Sequence, residues 1–528
     1  MKPEIVLVRL KGYKDLKETA DHLSEPLGLQ YLASYLRENG HSVSIIDGLT
    51  SWRTSEEVVG EILKANPKIV GFTITFQEYI QENLRVASIL VKSGLNAHIT
   101  MGGHFPSACH EMLLKNFSQI DSIIRHEGEV TLLELLQELE HPNRWTKISG
   151  LTYRYKDKIH VNPPRDLISN LDNLPFPSRD FLPGLVSKGF RKAAILASRG
   201  CYGQCRFCSV CAFYRSAGGA VWRGRSPKNV VEEMMDLVEA YGINYFQFLD
   251  DNFFGPGRDG VLRAEEFADE ILNKGLKVKY CFACRSDNVD ERLFRRLKKV
   301  GLDRVFLGVE SASQRFLDQY GKGISIETNR KAVQTLKKLG LDTSVGFIMV
   351  DPFATCDDIR QNISFLKGFD KQYIEVEPLW GSLMVYAGTA IDVKLQQEDL
   401  LHDNYLDLTR TYEFCDPKVA LIDRIVRSTL TKWINLALYE KYVRATWSGD
   451  GSVNAKERAT LLEMAELQLQ DLFLEAILMV VDRVEEMDSI EEAQKVMETL
   501  STEIEEKMKK NSSSLIQLLQ VLRLSKIM

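Results

Sequence analysis

The residues best suited to chemistry are three cysteines in the stretch Ala197-Ser198-Arg199-Gly200-Cys201-Tyr202-Gly203-Gln204-Cys205-Arg206-Phe207-Cys208. Cys201, Cys205 and Cys208 stand at x3 and x2 spacing, so one tight loop can turn three thiolates toward a point. A cubane [4Fe–4S] cluster clamped wholly by protein takes four thiolates. A site of three therefore leaves one iron open to a ligand from outside. The competing readings are a structural zinc loop or three unrelated thiols. Zinc sites pair two Cys-x2–4-Cys hairpins or add histidines at short spacing, and no histidine lies nearby. Cys211 continues the x2 rhythm and is a candidate for a place near the substrate; no other catalytic residue is legible. Cys281 and Cys284 form a Cys-x2-Cys, but strand alternation points them to opposite faces, and both read as small core residues.

The cysteine loop follows an apolar run that reads as a buried strand. Six strands are expected from there onward: Ala193–Ala197, Tyr245–Leu249, Val278–Arg285, Arg304–Val309, Thr343–Val350 and Tyr373–Val376. Helical patterns separate them at Pro227–Tyr241, Ala264–Lys274, Glu291–Val300, Glu327–Leu339 and Cys356–Gly368. Six parallel units over residues 193–395 predict a partial, TIM-like (β/α)6 barrel, whose chemistry gathers at the C-terminal strand ends. Polar groups recur there: Asp250, Asp251 and Asn252 after the second strand, Arg285 after the third, Glu310 and Ser311 after the fourth. Each alone reads equally well as a helix cap.

Residues 1–141 alternate strands and helices with a regular beat. Strands are expected at Ile5–Leu10, Ser42–Asp47, Ile69–Thr75, His98–Gly102 and Ser122–Arg125, and helices at Leu27–Asn39, Ser55–Ala65, Ile80–Lys92, Ser107–Asn116 and Val130–Glu140. This α/β pattern predicts an open, doubly wound parallel sheet of flavodoxin-like or Rossmann-like type, with its ligand outside the carboxyl ends of the strands. Residues 142–192 read as a proline-rich linker carrying a hairpin, Leu151–Tyr155 with Lys158–Val161. Residues 396–528 read as a helical cap. Its apolar stripes run through Leu421, Ile425, Leu430, Trp433, Ile434, Leu438 and Tyr442, then Leu461–Val484, then Ser489–Lys509.

The chain has 528 residues and a net charge of −6. That balance lacks the basic footprint of a nucleic-acid partner. No apolar run approaches the roughly 20 residues of a membrane span. The odd number of clustered cysteines and the start Met1-Lys2-Pro3-Glu4, which lacks a signal-peptide pattern, make a reducing cytoplasm the expected location.

The cysteine motif resembles that of the radical S-adenosylmethionine (SAM) enzymes, in which the methionine amine and carboxylate occupy the open iron. The first domain resembles the cobalamin-binding domain that precedes many of them. The matching pieces are Pro26-Leu27-Gly28-Leu29, Gly71-Phe72-Thr73, Gly102-Gly103-His104-Phe105-Pro106 and His126-Glu127-Gly128-Glu129. The Asp-x-His-x-x-Gly motif that ligates cobalt in methionine synthase-like domains is absent, which implies base-off cobalamin without a lower histidine. The resemblance implies cobalamin contacts at Leu27, Gly28, Thr73, Gly102, Gly103, His104, Glu127, Gly128 and Glu129, with Thr75, Phe76 and Gln77 approaching the lower face. It implies SAM contacts at Phe207, Asp250, Asp251, Asn252, Arg285, Glu310 and Ser311. The segment Gly346-Phe347-Ile348-Met349-Val350-Asp351-Pro352 departs from the commoner Gly-x-Pro-Gly ending.

The implied activity is reductive cleavage of SAM to a 5′-deoxyadenosyl radical, with an electron donor of flavodoxin or ferredoxin type. Hydrogen abstraction from an unactivated carbon and methyl transfer from methylcobalamin would follow, on a small natural-product or lipid intermediate or a peptide. Two alternatives stay open. One keeps both cofactors for oxidation, cyclisation or ring rearrangement without methyl transfer. The other is a SAM- and cluster-binding sensor or assembly factor acting through a protein partner.

Overall fold

The computed structural model describes residues 2–10, 25–49, 51, 53–368, 377–402, 411–430, 470–487 and 501–506. The first sheet is built on β1 (Ile5–Arg9), β2 (Val43–Asp47), β3 (Ile69–Thr73), β4 (His98–Gly102) and β5 (Ser122–Ile124). Its order β2-β1-β3-β4-β5 is parallel throughout, the flavodoxin-like order with its switch point between β1 and β3. Buried apolar residues on both faces, such as Ile5, Val6, Leu7 and Val8, suit strands covered by helices on either side. Those helices are α1 (Leu27–Glu38), α2 (Ser55–Ala65), α3 (Ile80–Lys92), α4 (His104–Ala108), α5 (His110–Asn116) and α6 (Glu129–Gln137). The single helix expected over 107–116 is two, parted at Cys109, whose φ of −116° and ψ of 23° leave the helical region.

The hairpin expected within the linker belongs to this sheet. Its strands β6 (Leu151–Tyr155) and β7 (Lys158–Val161) add antiparallel to β5, Ser122 facing Tyr153. Tyr153 and Thr152 are buried there, so the hairpin covers what would otherwise be an open edge. A short helix α7 (Leu182–Ser187) leads into the second sheet.

That sheet has the order β14-β13-β12-β11-β8, all parallel, from β8 (Lys192–Ile195), β11 (Tyr245–Phe248), β12 (Lys279–Arg285), β13 (Leu302–Glu310) and β14 (Asp342–Phe347). The sixth strand expected at 373–376 lies outside the described residues. Around the sheet run α8 (Ser209–Arg215), α9 (Pro227–Tyr241), α10 (Gly257–Asn273), α11 (Glu291–Lys299), α12 (Gln314–Gln319), α13 (Ile326–Lys338), α14 (Cys356–Lys367) and α15 (Ala390–Gln397). Local signals set their ends. Ser226 caps α9 ahead of Pro227, Gly242 closes it in the left-handed region, and Thr355 with Asp358 forms a capping box on α14.

The cysteine loop does not follow the barrel strand directly. The chain leaves the sheet after Ile195 and forms β9 (Ser198–Gly200), which pairs antiparallel with β10 (Trp222–Gly224). Asp250 steers this departure by accepting from Ala197 N at 3.0 Å and Ser198 Oγ at 2.5 Å.

Helical residues 417–430 and 470–485 share the barrel's apolar core through Leu421, Ile425, Phe473, Ile477 and Val481. Arg360 of α14 pairs with Asp482 at 2.7 Å. Trp433, Ile434, Leu438 and Tyr442, with most of the third stripe and the start of the second, lie outside the described residues. Among the described residues no helix is long and apolar enough to cross a membrane.

Candidate functional site

A cavity of about 450 Å³ opens at the carboxyl ends of β1, β3 and β4, where the switch-point rule places a ligand. Leu27, Gly28, Thr73, Thr75, Gly102, Gly103, His104, Glu127, Gly128 and Glu129 all line it. Glycine is demanded at one of these positions and leaves space at another. Gly103 has φ of +105°, and a Cβ there would stand 2.4 Å from Ile74 O. Gly28 would point a Cβ into open space, so its bareness keeps room in the cavity.

The opposite wall comes from the second unit: Leu196, Ser198 and Arg199 beside β9, Phe213 and Tyr214 of α8, and Leu249 and Asp251 after β11. Phe213 packs on His104 and His126, ring centroids 4.2 and 5.3 Å apart. Burial pushes both imidazoles down to about 4, so they are neutral near pH 7. Their Nδ1 atoms are buried without a hydrogen-bond partner, as are Nε and Nη2 of Arg223. A polar ligand in the cavity would supply partners to the two imidazoles, which line it.

Gln77 lies in a neighbouring cavity of about 260 Å³, shared with Thr75, His104, Phe213 and Tyr386. Its Nε2 donates to Val385 O at 3.2 Å. Phe76 lines neither cavity; its ring meets Tyr386 at 5.5 Å. Tyr386, unremarked in the sequence, thus stands between the first domain and the cysteine loop, and burial pushes its phenol up to about 12.

Glu127 and Glu129 do more than line the cavity. Glu127 accepts from Arg223 Nη1 at 2.9 Å, from Arg199 Nη1 at 3.2 Å and from Ile168 N at 2.7 Å; Glu129 accepts from Arg199 Nη2 at 2.7 Å. Glu129 and Arg223 are buried, and Glu127 and Arg199 are nearly so, with side chains 8% and 10% exposed. Arg199 is two residues from Cys201, so this clamp ties the first domain to the strand that delivers the cysteine loop. A second set joins Arg179 to Glu25 at 2.9 Å and to Glu233 at 2.7 Å. Neither set shows in the sequence, because each joins residues far apart in the chain.

In the cysteine loop, Gly203 N donates to Cys201 Sγ at 3.3 Å. A Cβ on Gly203 would stand 3.3 Å from Cys201 Sγ, 3.8 Å from Cys205 Sγ and 3.0 Å from Arg285 Nη1. The bare glycine therefore lets two sulfurs and a guanidinium face one small space. Among the described residues no three His, Cys, Asp or Glu side chains are gathered as a metal-binding group. Cys208 is instead engaged with Cys211, whose Sγ also donates to Gly203 O at 3.3 Å. That bond to Cys211, with burial, raises Cys208 well above the ordinary thiol range; burial pushes Cys201 up to about 11 and raises Cys205. As thiols the three repel less than thiolates would, and only a bound cation would draw them together. Three sulfurs from one loop, with no competing histidine or carboxylate, suit iron and sulfide.

The expected SAM positions divide. Arg285 lies against the loop, forked onto Asp287 at 2.9 and 3.0 Å and over the Tyr202 ring at 5.6 Å. Glu310 meets Lys322 at 2.7 Å. Phe207 packs edge-on to Tyr320, centroids 5.1 Å apart. Asp250 is spent on the departure of β9, and Asn252 donates to Phe254 O at 3.0 Å. Asp251 accepts from Gly200 N at 3.1 Å, burial pushes it up to about 7, and it lines the larger cavity. Ser311 donates to Asn362 at 3.0 Å inside the fold, away from the loop. Cys284 is buried in the barrel core, while Cys281, partly exposed, pairs with Tyr245.

Residues 13–136 match the B12 binding domain and residues 195–366 the Radical SAM superfamily. An uncharacterized methyltransferase of Pyrococcus horikoshii is 32% identical over 444 residues, which cover 84% of this chain and 93% of that one. The chain belongs to the cobalamin-binding radical SAM family. A member of that family carries a [4Fe–4S] cluster, SAM and cobalamin, and the two walls of the larger cavity are the two domains that hold them. An anaerobic magnesium-protoporphyrin IX monomethyl ester cyclase of Rubrivivax gelatinosus is 30% identical over 336 residues, 61% of this chain and 58% of that protein. The fold is that of the cobalamin-dependent SAM radical enzyme OxsB, solved with aqua-cobalamin and SAM bound. That likeness has a TM-score of 0.76 at 20% identity and covers 99% of this chain and 80% of that one.

Proposed function

We propose that this radical SAM protein is a C-methyltransferase that places a methyl group on an unactivated carbon of a natural-product, lipid or peptide substrate. The observation that carries the reading is the shared cavity. Its one wall is the strand ends of the B12-binding domain, and its other is the strand and helix flanking the cysteine loop. When bound, cluster and SAM supply a carbon-centred radical and cobalamin supplies a transferable methyl group. The chain's own part is to hold and shield. Cys201, Cys205 and Cys208 would hold the cluster, while Arg285, Glu310 and Phe207 would meet SAM beside it. The glycines at 28, 102, 103 and 128 admit cobalamin close to the backbone. The Glu127–Arg199–Arg223 clamp fixes the distance between the two sites, and Phe213, Tyr214 and Leu249 exclude water from the space between. The methyltransferase relative, matched along nearly its whole length, supports transfer.

A second reading, ring closure or oxidation without methyl transfer, is favoured by the cyclase relative. One anaerobic experiment decides. Iron and cobalt are counted in the wild type and in the Cys201→Ala/Cys205→Ala/Cys208→Ala variant, and 5′-deoxyadenosine is compared with methylated product using labelled SAM and a flavodoxin- or ferredoxin-type reductant. About four irons and one cobalt, with iron alone lost in the variant and label found in product, support methyl transfer. Turnover with 5′-deoxyadenosine and no label in product moves the assignment to the second reading.

A further inference from the structure

Lys322 is a loop lysine that the structure buries, its side chain only 4% exposed, with its Nζ 2.7 Å from Glu310 Oε1. The loop that carries it rests on the cysteine loop. Arg206 N donates to Tyr320 O at 2.8 Å, and a Cβ on Gly321 would stand 3.0 Å from Gln204 O. The Lys322–Glu310 pair lies over Gly308, where a Cβ would come within 2.9 Å of both charged atoms and push the pair aside. Glu310 holds its place at φ +67°, a left-handed conformation that a side-chain residue adopts at a cost. Arg285 locks the arrangement by donating from Nη2 to Lys322 O at 2.7 Å. Burial opposes the lysine's charge, but Glu310 and its other neighbours together favour it, and the ammonium stays charged.

We propose that Lys322 and Glu310 are a pair of opposed charges, the lysine buried and the glutamate half-buried, that sets the reduction potential of the cluster held by the cysteine loop. Reduction adds one electron from the donor protein to the cluster, and a cation nearby stabilises the reduced state. An anion at the same place does the reverse. Cluster potentials respond to local charge and solvent exposure, and buried charges are weakly screened. The proposal rests on the cluster, which membership of the family carries, and is independent of whether methyl transfer follows.

The test is a potentiometric titration of reconstituted holoenzyme followed by electron paramagnetic resonance, without SAM. It compares wild type, Lys322→Met, Glu310→Gln and the double variant, each with iron counted. Lys322→Met should shift the reduction equilibrium about tenfold toward the oxidised cluster, about 59 mV for one electron. Glu310→Gln should shift it the opposite way, and the double variant should fall between. Opposite signs are what a structural disturbance would not give. Shifts of the same sign, or a Lys322→Met shift below about threefold with iron retained, would overturn the proposal. Should Lys322→Met lose iron, the sign for Glu310→Gln decides alone. Loss of iron from both would mean that the pair shapes the loop, and would overturn it too.

Discussion

Breaking the clamp between the two domains should cost far more than breaking a surface ion pair of the same length. Arg223 is the member to remove. Its Nη1 reaches both oxygens of Glu127 at 2.9 Å, and its side chain is 4% exposed. Replacing Arg223 with Met leaves Glu127 buried with one arginine at a longer 3.2 Å. Removing one partner of a buried pair typically costs about 3–5 kcal/mol, because a charge stays behind without compensation. With an m-value of about 3 kcal/mol/M, the urea midpoint should fall by about 1–2 M. The control is Glu56→Gln, which breaks the Arg85–Glu56 pair at 3.1 Å and leaves Arg85 on Glu82; the paired side chains are 44% and 71% exposed. Solvent screens such a pair, and it holds little of the fold's stability, so the midpoint should hardly move. The double variant Glu127→Met/Arg223→Met should lose less than the sum of its single variants, by about 0.5–3 kcal/mol, since neither charge is then stranded. The assay is equilibrium urea unfolding followed by circular dichroism. If Arg223→Met behaves like Glu56→Gln, or the double variant equals the sum, the clamp is not an energetic link.

Three further outcomes are expected. Folded-state imidazoles of His104 and His126 sit near 4 against an ordinary value of about 6.5, so the folded chain binds fewer protons than the unfolded chain between those values. Stability should therefore fall as pH drops from about 6.5 to about 4, and His104→Asn should flatten that slope in urea midpoints measured across the range. Gly103→Ala should destabilise by about 1–3 kcal/mol through its left-handed backbone and its approach to Ile74 O, and should lower cobalt per chain measured by mass spectrometry. Cys281→Ser should leave iron per chain unchanged, because Cys281 pairs with Tyr245 and stands apart from the loop thiols; a loss of iron would tie it to the cluster.

Strands and helices of both domains were legible where a single period ran unbroken. α9 and α13 carry apolar stripes with serine caps, and β1 through β5 are short buried runs between turn signals. Long-range pairings were not legible. Nothing local says that β6 joins β5 or that β9 leaves the barrel sheet to pair with β10. The same holds at the site. Cys201, Cys205 and Cys208 are read from spacing alone, and the glycines at 102, 103 and 128 from their place at strand ends. Glu127 and Glu129 stand out in the sequence as ligand candidates, but their arginine partners lie 70 to 96 residues away. Lys322 carried no signal, since a lysine in a loop is ordinarily exposed. Only the packing of Gly321 on Gln204 and of Nζ over Gly308 makes it part of the site.

The clamp also bears on how such chains can be recombined. A cobalamin-binding segment grafted from a relative onto this barrel would bring its own acids or none to face Arg199 and Arg223. Unless Glu127 and Glu129 travelled with it, two guanidinium groups would be stranded in a dry seam beside the cysteine loop. Inheritance of the two halves is thereby tied together, by this seam and by Glu25, which meets Arg179.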